Sequence, residues 1–163
     1  MNALRDYHSP LSHFEPTELF DTLSTGIVVL DAQYCPIYAN VSAQDFMAVS
    51  LRQARGRPFA DLFYDPRQLV EVLRRSMNHL ETCTQHELVL KALGSAVSRD
   101  PSVVDLIVTP LEGQVTGTYL LLELADATQR QRITRDNDIL AGMDGSRLMV
   151  RQLAHEVKNP LGG

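Results

Sequence analysis

Short apolar runs and turn residues alternate early in this chain. The run "GIVVL" at 26–30 is rich in β-branched residues, and "YCPIYAN" at 34–40 follows it after the turn residues "DAQ". This pattern predicts two neighbouring strands. Pro36 lacks a backbone donor, which suits a sheet edge or the start of the second strand. After Asn40 the spacing becomes helical, and Ser42 is the expected cap of that helix.

A longer helical pattern occupies the middle of the chain. Asp65 is expected to cap this helix and Pro66 to be its first residue, since proline is favoured at that position. Apolar residues then recur at helical spacing and predict one buried face, made of Leu69, Leu73, Met77 and Leu80.

After this helix, apolar residues recur at every second position, which indicates strands. Three runs show it: "HELVLKAL" at 86–93, "SVVDLIVTP" at 102–110 and "GTYLLLELAD" at 117–126. Because the links between them are short, these strands are expected to be antiparallel. Two strands, a helical segment and three successive strands therefore predict an α+β fold with helices on one face of an antiparallel sheet.

Composition and charge narrow the choice of partners and compartment. The 163 residues are 44% hydrophobic and carry a net charge of -5, and no run of Lys and Arg exists, so direct nucleic-acid binding is not expected. Cys35 and Cys83 form no CxxC pattern and fit a reducing compartment. No apolar run approaches the roughly 20 residues of a membrane helix, and no signal peptide is visible. We expect a cytoplasmic protein that does not contact a membrane.

The order of the elements resembles the PAS domain. Two local features add to the resemblance: "YAN" ends the second strand, and "DAT" at 126–128 directly follows the last one. In PAS sensors an Asp-x-Thr at this point commonly joins the core to an outgoing helix. The resemblance implies a PAS fold at 20–128, with a five-stranded antiparallel sheet and helices on one face. Residues 1–19 are then a lead-in, and 129–163 a C-terminal helical segment that mediates dimerisation.

Heptad spacing appears in the C-terminal segment and indicates a coiled-coil-like seam, interrupted by Asp136 and Arg147. The apolar positions are Ile133, Leu140, Met143, Val150, Ala154, Val157 and Leu161. At about 100° per residue, His155 lies about 140° from Val150 and Asn159 about 180° from it. The histidine and asparagine are therefore expected on the polar face, one turn apart, where a second domain or protein could reach the imidazole.

Three interpretations of "HEVKN" at 155–159 compete. A zinc hydrolase would need the pattern HExxH, but Asn159 occupies the second position and is a poor zinc ligand. The segment could also be an exposed polar face with an incidental histidine. The third interpretation is phosphoryl transfer to His155, with Glu156 as hydrogen-bond acceptor or general base and Asn159 positioning a water.

The stretch "AHEVKNPL" at 154–161 resembles the H-box of sensor histidine kinases, whose pattern is His-Glu/Asp-x-x-Asn/Thr-Pro-Leu. With a PAS domain before it and no membrane segment, the chain is similar to the NtrB-type nitrogen-regulation kinases. The resemblance implies that His155 is the phosphoacceptor, Glu156 its activating acid/base and Asn159 a residue needed for phosphatase activity. It also implies a homodimer, with an NtrC-type response regulator and a PII-type signal protein as partners.

A complete kinase needs a nucleotide-binding domain, and no phosphate loop such as G-x-x-x-x-G-K-S/T occurs in these residues. We therefore expect an amino-terminal fragment in which 129–163 is a linker and the truncated first helix of the phosphoacceptor domain. ATP and Mg²⁺ would belong to the catalytic domain of the parent, and the fragment alone is expected to be inactive. The alternative function is a non-enzymatic PAS dimerisation adaptor, which would have no need for Glu156 and Asn159.

No cofactor and no metal are expected in the PAS segment. The connector "ARGRPFADLF" at 54–63 lacks the cysteine that a flavin photosensor would use. His79 is the candidate haem ligand, but it projects about 120° from Leu73 and is better explained as solvated. We expect a packed interaction module, and a small apolar metabolite remains the open alternative.

Overall fold

The computed structural model describes residues 14–94, 100–113, 117–128, 136 and 138–142, which fall in two units divided after Asp126. In the second unit, Thr128, Asp136 and residues 138–142 are helical. The first unit contains, in chain order, α1 (Pro16–Asp21), β1 (Gly26–Leu30), β2 (Pro36–Ala39), α2 (Val41–Met47), α3 (Leu51–Ala54), a 3₁₀ helix (Phe59–Leu62), β3 (Phe63–Tyr64), α4 (Arg67–His79), β4 (Cys83–Ala92), β5 (Ser102–Gly113) and β6 (Gly117–Asp126).

The strands form one antiparallel sheet in the order β2-β1-β6-β5-β4-β3. Strand β1 lies against β6 with Gly26 opposite Leu124, so the first and last strands are neighbours. Strand β2 lies at the edge and begins at Pro36, as its missing donor predicts. The predicted α+β fold is confirmed. The sheet has six strands instead of five, because β3 adds two residues, too few to produce a pattern in the sequence.

The apolar residues of alternate strand positions form one buried face, and the helices cover it. Leu120, Leu122 and Leu124 of β6 are each 0% exposed and belong to the core. The helical layer contributes the following buried side chains: Ala43 and Met47 from α2, Phe59 and Leu62 from the 3₁₀ helix, and Leu69 and Leu73 from α4. Burial of these side chains away from water is the main stabilising contribution to the fold.

Helix α4 begins and ends differently from its sequence prediction. Asp65 has a φ of 46° and its carboxylate accepts from the Arg67 side chain, with Oδ1 at 2.6 Å from Nε. Pro66 therefore occupies the cap position and the helix begins at Arg67. The prediction that Leu80 belongs to the buried face is also wrong. Leu80 follows the last helical residue with a φ of 54°, and its side chain is 52% exposed.

Ser76 takes the buried position on the last turn of α4. Its hydroxyl donates to the carbonyl oxygen of Glu81 at 2.8 Å, which satisfies a polar group that is 0% exposed. Helical spacing alone does not identify such a residue, because a serine on an apolar face is not counted among the apolar positions.

A bulge interrupts the predicted alternation of β4. The register with β5 shifts between Gln85 and Leu88, and Glu87 has a φ of 52°. The side chain of Asp105 stabilises the bulge, because its Oδ1 accepts from the Glu87 backbone N–H at 3.0 Å and lies 3.3 Å from Nδ1 of His86. The sequence predicts that buried and exposed residues alternate from His86 onward. In the structure this alternation begins only at Leu88.

Alanine at position 26 will destabilise the fold, because Gly26 lies where β1 touches α2. A Cβ atom there would come within 3.1 Å of the Ala43 Cα and 3.0 Å of the Phe46 ring. We expect the free energy of unfolding to fall by about 1–2 kcal/mol, because overpacking exceeds the entropy gained on replacing glycine. Urea unfolding of Gly26→Ala measures this. Gly142→Ala is the control, since nothing lies within 4 Å of its added carbon, and an equal midpoint for the two variants would contradict the prediction.

Candidate functional site

The three residues with predicted catalytic roles, His155, Glu156 and Asn159, lie outside the described residues. Most of the predicted heptad seam lies outside them as well. Of its apolar positions, Leu140 is described and is 58% exposed. The roles of these residues therefore stay predictions, and the described geometry concerns the PAS segment.

A fully buried asparagine organises the point where the chain enters the sheet. Asn40 is 0% exposed and caps α2, a position predicted for Ser42. Its Oδ1 accepts from the backbone N–H groups of Ile27 at 2.8 Å and Ala43 at 2.9 Å. Its Nδ2 donates to the carbonyl oxygens of Phe20 at 2.8 Å and Thr25 at 2.9 Å. One side chain thus joins α1, β1 and α2, and every one of its hydrogen-bonding positions is used.

Further contacts hold the end of α1 against the same corner. The Ser42 hydroxyl, free of any capping role, donates to the Leu23 carbonyl oxygen, and the Val41 backbone N–H donates to Oδ1 of Asp21 at 3.1 Å. The ring of Phe20 meets that of Tyr38 edge-on, with centroids 6.2 Å apart. Helix α1 includes residue 20, the predicted start of the domain. Its end is hydrogen-bonded to α2 and to Asn40, and it contacts β2 through the Phe20 and Tyr38 rings.

Large apolar side chains lie between the helices and the sheet. Five large residues there are each at most 2% exposed: Met47, Phe59, Leu62, Leu69 and Leu73. His79, the candidate haem ligand, is exposed at the end of α4. Within the described ranges, no group of three or more His, Cys, Asp or Glu side chains is placed to share a metal ion.

A small recess opens on the outer side of the helical layer. It has a volume of about 170 Å³ and lies between α4 and the connector that carries the 3₁₀ helix. Buried Ala60 and Leu73 form its floor, and half-buried Tyr34 and Val70 form its walls. Its exposed rim consists of Pro58, Asp61 and Arg74. The backbone N–H of Phe59 donates to the Tyr34 carbonyl oxygen at 2.8 Å, which fixes the connector against the β1–β2 turn.

Two ionisable groups near the β1–β2 corner are shifted toward their neutral forms. Burial, and then the charge of Asp31, raises the pKa of the Cys35 thiol. Burial, and then the charge of Asp21, raises the pKa of Tyr38. A raised pKa leaves less of the thiol as thiolate, the form that acts as a nucleophile.

Residues 20–132 match the protein family described as PAS fold. The match covers more than half of the chain, and the chain belongs to the PAS-fold family. The segment that folds into the six-stranded sheet and its helical layer lies inside the matched residues.

Curated relatives extend the resemblance beyond the fold. The sensory histidine kinase/phosphatase NtrB of Proteus hauseri is 29% identical over 147 residues, which cover 90% of this chain and 40% of the relative. The protein of the same name from Klebsiella oxytoca is also 29% identical over 147 residues, with 90% and 39% covered. The predicted resemblance to NtrB-type kinases is confirmed. The chain spans about 40% of the length of these relatives.

Solved structures share the fold at low sequence identity. The PAS domain of nitrogen regulation protein NR(II) from Vibrio parahaemolyticus is 18% identical, with a TM-score of 0.55 over 69% of this chain and 98% of that one. An RNA-binding light-oxygen-voltage receptor is 16% identical, with a TM-score of 0.62 over 87% of this chain and 40% of that one. Over the part of the chain that the structure describes, no helix is long and apolar enough to span a membrane.

Proposed function

We propose that this chain is the sensor and phosphoacceptor part of a two-component histidine kinase/phosphatase that acts in nitrogen regulation. The observation that carries the proposal is the order of two parts along the chain, a PAS fold at 20–132 and then "AHEVKNPL" at 154–161. Relatives named NtrB sensory histidine kinase/phosphatase align with 90% of the chain, which supports the same assignment.

His155 is the proposed phosphoacceptor. One ring nitrogen attacks the γ-phosphorus of ATP, the bond to the bridging oxygen breaks, and ADP leaves. Glu156 accepts the hydrogen bond of the other ring nitrogen and takes up its proton, so that the phosphorylated ring is not left with a positive charge. ATP and Mg²⁺ are assigned to a separate catalytic domain, because these residues contain no phosphate loop.

Asn159 is assigned to the reverse, phosphatase, reaction. On a helix it lies one turn from His155, where its carboxamide orients a water toward the phosphoaspartate of a docked response regulator. The proposed partners are therefore a second copy of the chain, an NtrC-type response regulator and a PII-type signal protein, in the cytoplasm. The PAS domain is proposed to work without a cofactor, since the connector at 54–63 contains no cysteine and His79 is exposed at the end of α4.

A phosphotransfer assay tests this function. The parent protein, or this chain extended through a second helix, is mixed with a separately supplied histidine-kinase catalytic domain and γ-labelled ATP. We expect label on the protein that is stable in alkali and lost in acid, which is the behaviour of phosphohistidine. Absence of label on a folded, dimeric protein would contradict the proposal and favour the non-enzymatic PAS adaptor.

A further inference from the structure

The recess between α4 and the connector carries one carboxylate and one guanidinium group at its rim. Asp61 belongs to the 3₁₀ helix and Arg74 to α4, and both residues are exposed. Within the described part of the chain, neither of them takes part in an ion pair. The two formal charges cancel, so the recess favours neither anions nor cations as a class, but it offers a separate partner to each.

The two charged residues belong to elements whose relative position is fixed by packing. Ala60 and Leu73, the residues directly before the acid and the base, are 7% and 2% exposed and belong to the same core cluster. The connector is held further by the hydrogen bond from the Phe59 backbone N–H to the Tyr34 carbonyl oxygen at 2.8 Å. The backbone on both sides of the recess is therefore in place before a ligand arrives, and only exposed side chains must be ordered on binding.

The size of the recess restricts its occupant. Its volume of about 170 Å³ is below the roughly 300–1,000 Å³ of pockets that enclose a drug-sized ligand. An apolar cavity of about 150 Å³ holds one benzene molecule. The apolar part of the occupant is thus no larger than a benzene ring or a branched aliphatic side chain.

We propose that this recess binds a free α-amino acid with a branched aliphatic side chain. The side chain of the ligand lies between Tyr34 and Val70, its carboxylate meets Arg74, and its ammonium group meets Asp61. Arginine suits the first contact because its planar fork binds a carboxylate through two hydrogen bonds. The proposal is independent of the phosphoacceptor role of His155, since it concerns contacts made by the PAS domain alone.

Small ligands with other charges match the rim less well. A carboxylic acid that lacks an ammonium group brings its charge close to Asp61, and an amine that lacks a carboxylate brings its charge close to Arg74; like charges at such distances repel. A neutral apolar molecule removes water from both charged groups and offers them no hydrogen bond in return. An α-amino acid carries both charges on one carbon beside its side chain, so it matches the rim and the apolar floor together.

Titration of the whole 163-residue chain, labelled with nitrogen-15, with L-valine tests the proposal by NMR. We expect saturable shifts of the Ala60, Val70 and Leu73 amides and a dissociation constant of about 1 mM, because so small a ligand makes few contacts. Three analogues each remove one feature of valine: isovalerate lacks the ammonium group, isobutylamine lacks the carboxylate, and glycine lacks the side chain. Each analogue should bind about tenfold more weakly than valine, a change of about 1.4 kcal/mol.

Substitutions by neutral polar residues assign each charge of the ligand to its partner. Arg74→Gln should weaken valine binding about fivefold but should not weaken binding of isobutylamine, and Asp61→Asn should weaken valine binding about fivefold but not that of isovalerate. Arg75→Gln is the matched control, because it removes the same charge one residue away, outside the recess, and should leave valine affinity within about twofold. All three residues are exposed, so no variant is expected to unfold, and a urea midpoint for each checks this.

Several results would overturn the proposal. Equal affinities for valine, isovalerate and isobutylamine would show that the recess selects apolar volume and neither charge. Equal losses for Arg74→Gln and Arg75→Gln would indicate diffuse electrostatics without a defined site. Shifts confined to amides outside the recess would place the ligand elsewhere. No saturation up to about 20 mM valine, roughly twentyfold above the expected dissociation constant, would exclude the site.

Discussion

Glutamine at position 155 will abolish the acid-labile label that we expect the proposed parent kinase to acquire from ATP. The substitution keeps a polar side chain of similar length but removes the nucleophilic ring nitrogen, and an amide cannot take its place. Because His155 is expected on the polar face of its helix, opposite the apolar stripe, the loss should occur without a change in dimerisation. Autoradiography before and after acid treatment measures the label, and sedimentation measures the oligomeric state.

The matched control for this prediction is His79→Gln. His79 is an exposed histidine at the end of α4, so its replacement makes the same chemical change at a site to which no reaction is assigned. It should retain full labelling. Label that persists in His155→Gln, or that disappears in both variants, would show that the phosphoacceptor lies elsewhere.

Alanine at position 40 will lower the free energy of unfolding by about 3 kcal/mol. The buried carboxamide of Asn40 makes four hydrogen bonds, two to backbone N–H groups and two to backbone carbonyl oxygens. Removing it leaves the N–H groups of Ile27 and Ala43 without these partners in buried surroundings, at a cost of about 1–3 kcal/mol for each unsatisfied group. Loss of the helix cap is part of the same change.

Asn78→Ala is the control for that substitution. Asn78 is an exposed asparagine on α4, and its replacement should change the free energy of unfolding by no more than about 0.5 kcal/mol. Urea unfolding of both variants measures the difference. Amide hydrogen exchange adds a local test, because the Ile27 and Ala43 amides should exchange faster in Asn40→Ala. Equal midpoints for the two variants would contradict the role given to Asn40.

Strand positions were predictable from the sequence because apolar residues occupy every second position in a long strand that buries one face. Strand β6 shows this most clearly, with Leu120, Leu122 and Leu124 buried and the residues between them partly exposed. Helix ends were less predictable, because several polar residues near each helix start can act as the cap. Local preference predicts Ser42 as the cap of α2, whereas Asn40 is the cap and is held in place by longer-range bonds to Phe20 and Thr25.

The recess on the helical layer could not be predicted from the sequence. Tyr34, Asp61 and Arg74 are distant along the chain, and only the packing of α4 against the connector brings them to one recess. No short motif marks such a site. The predicted roles of His155, Glu156 and Asn159, by contrast, depend on eight consecutive residues, which is why a sequence alone suffices to propose them.

The pairing of β1 with β6 has a consequence for how such a domain is inherited. With Gly26 opposite Leu124, the beginning of the first strand and the end of the last lie on adjacent strands, about 4.8 Å apart. A module that begins and ends at neighbouring points can be inserted into a gene, duplicated or deleted while the segments on either side keep almost the same separation. A gene could therefore exchange one such domain for another in a single genetic event, with little change in the separation of the segments on either side.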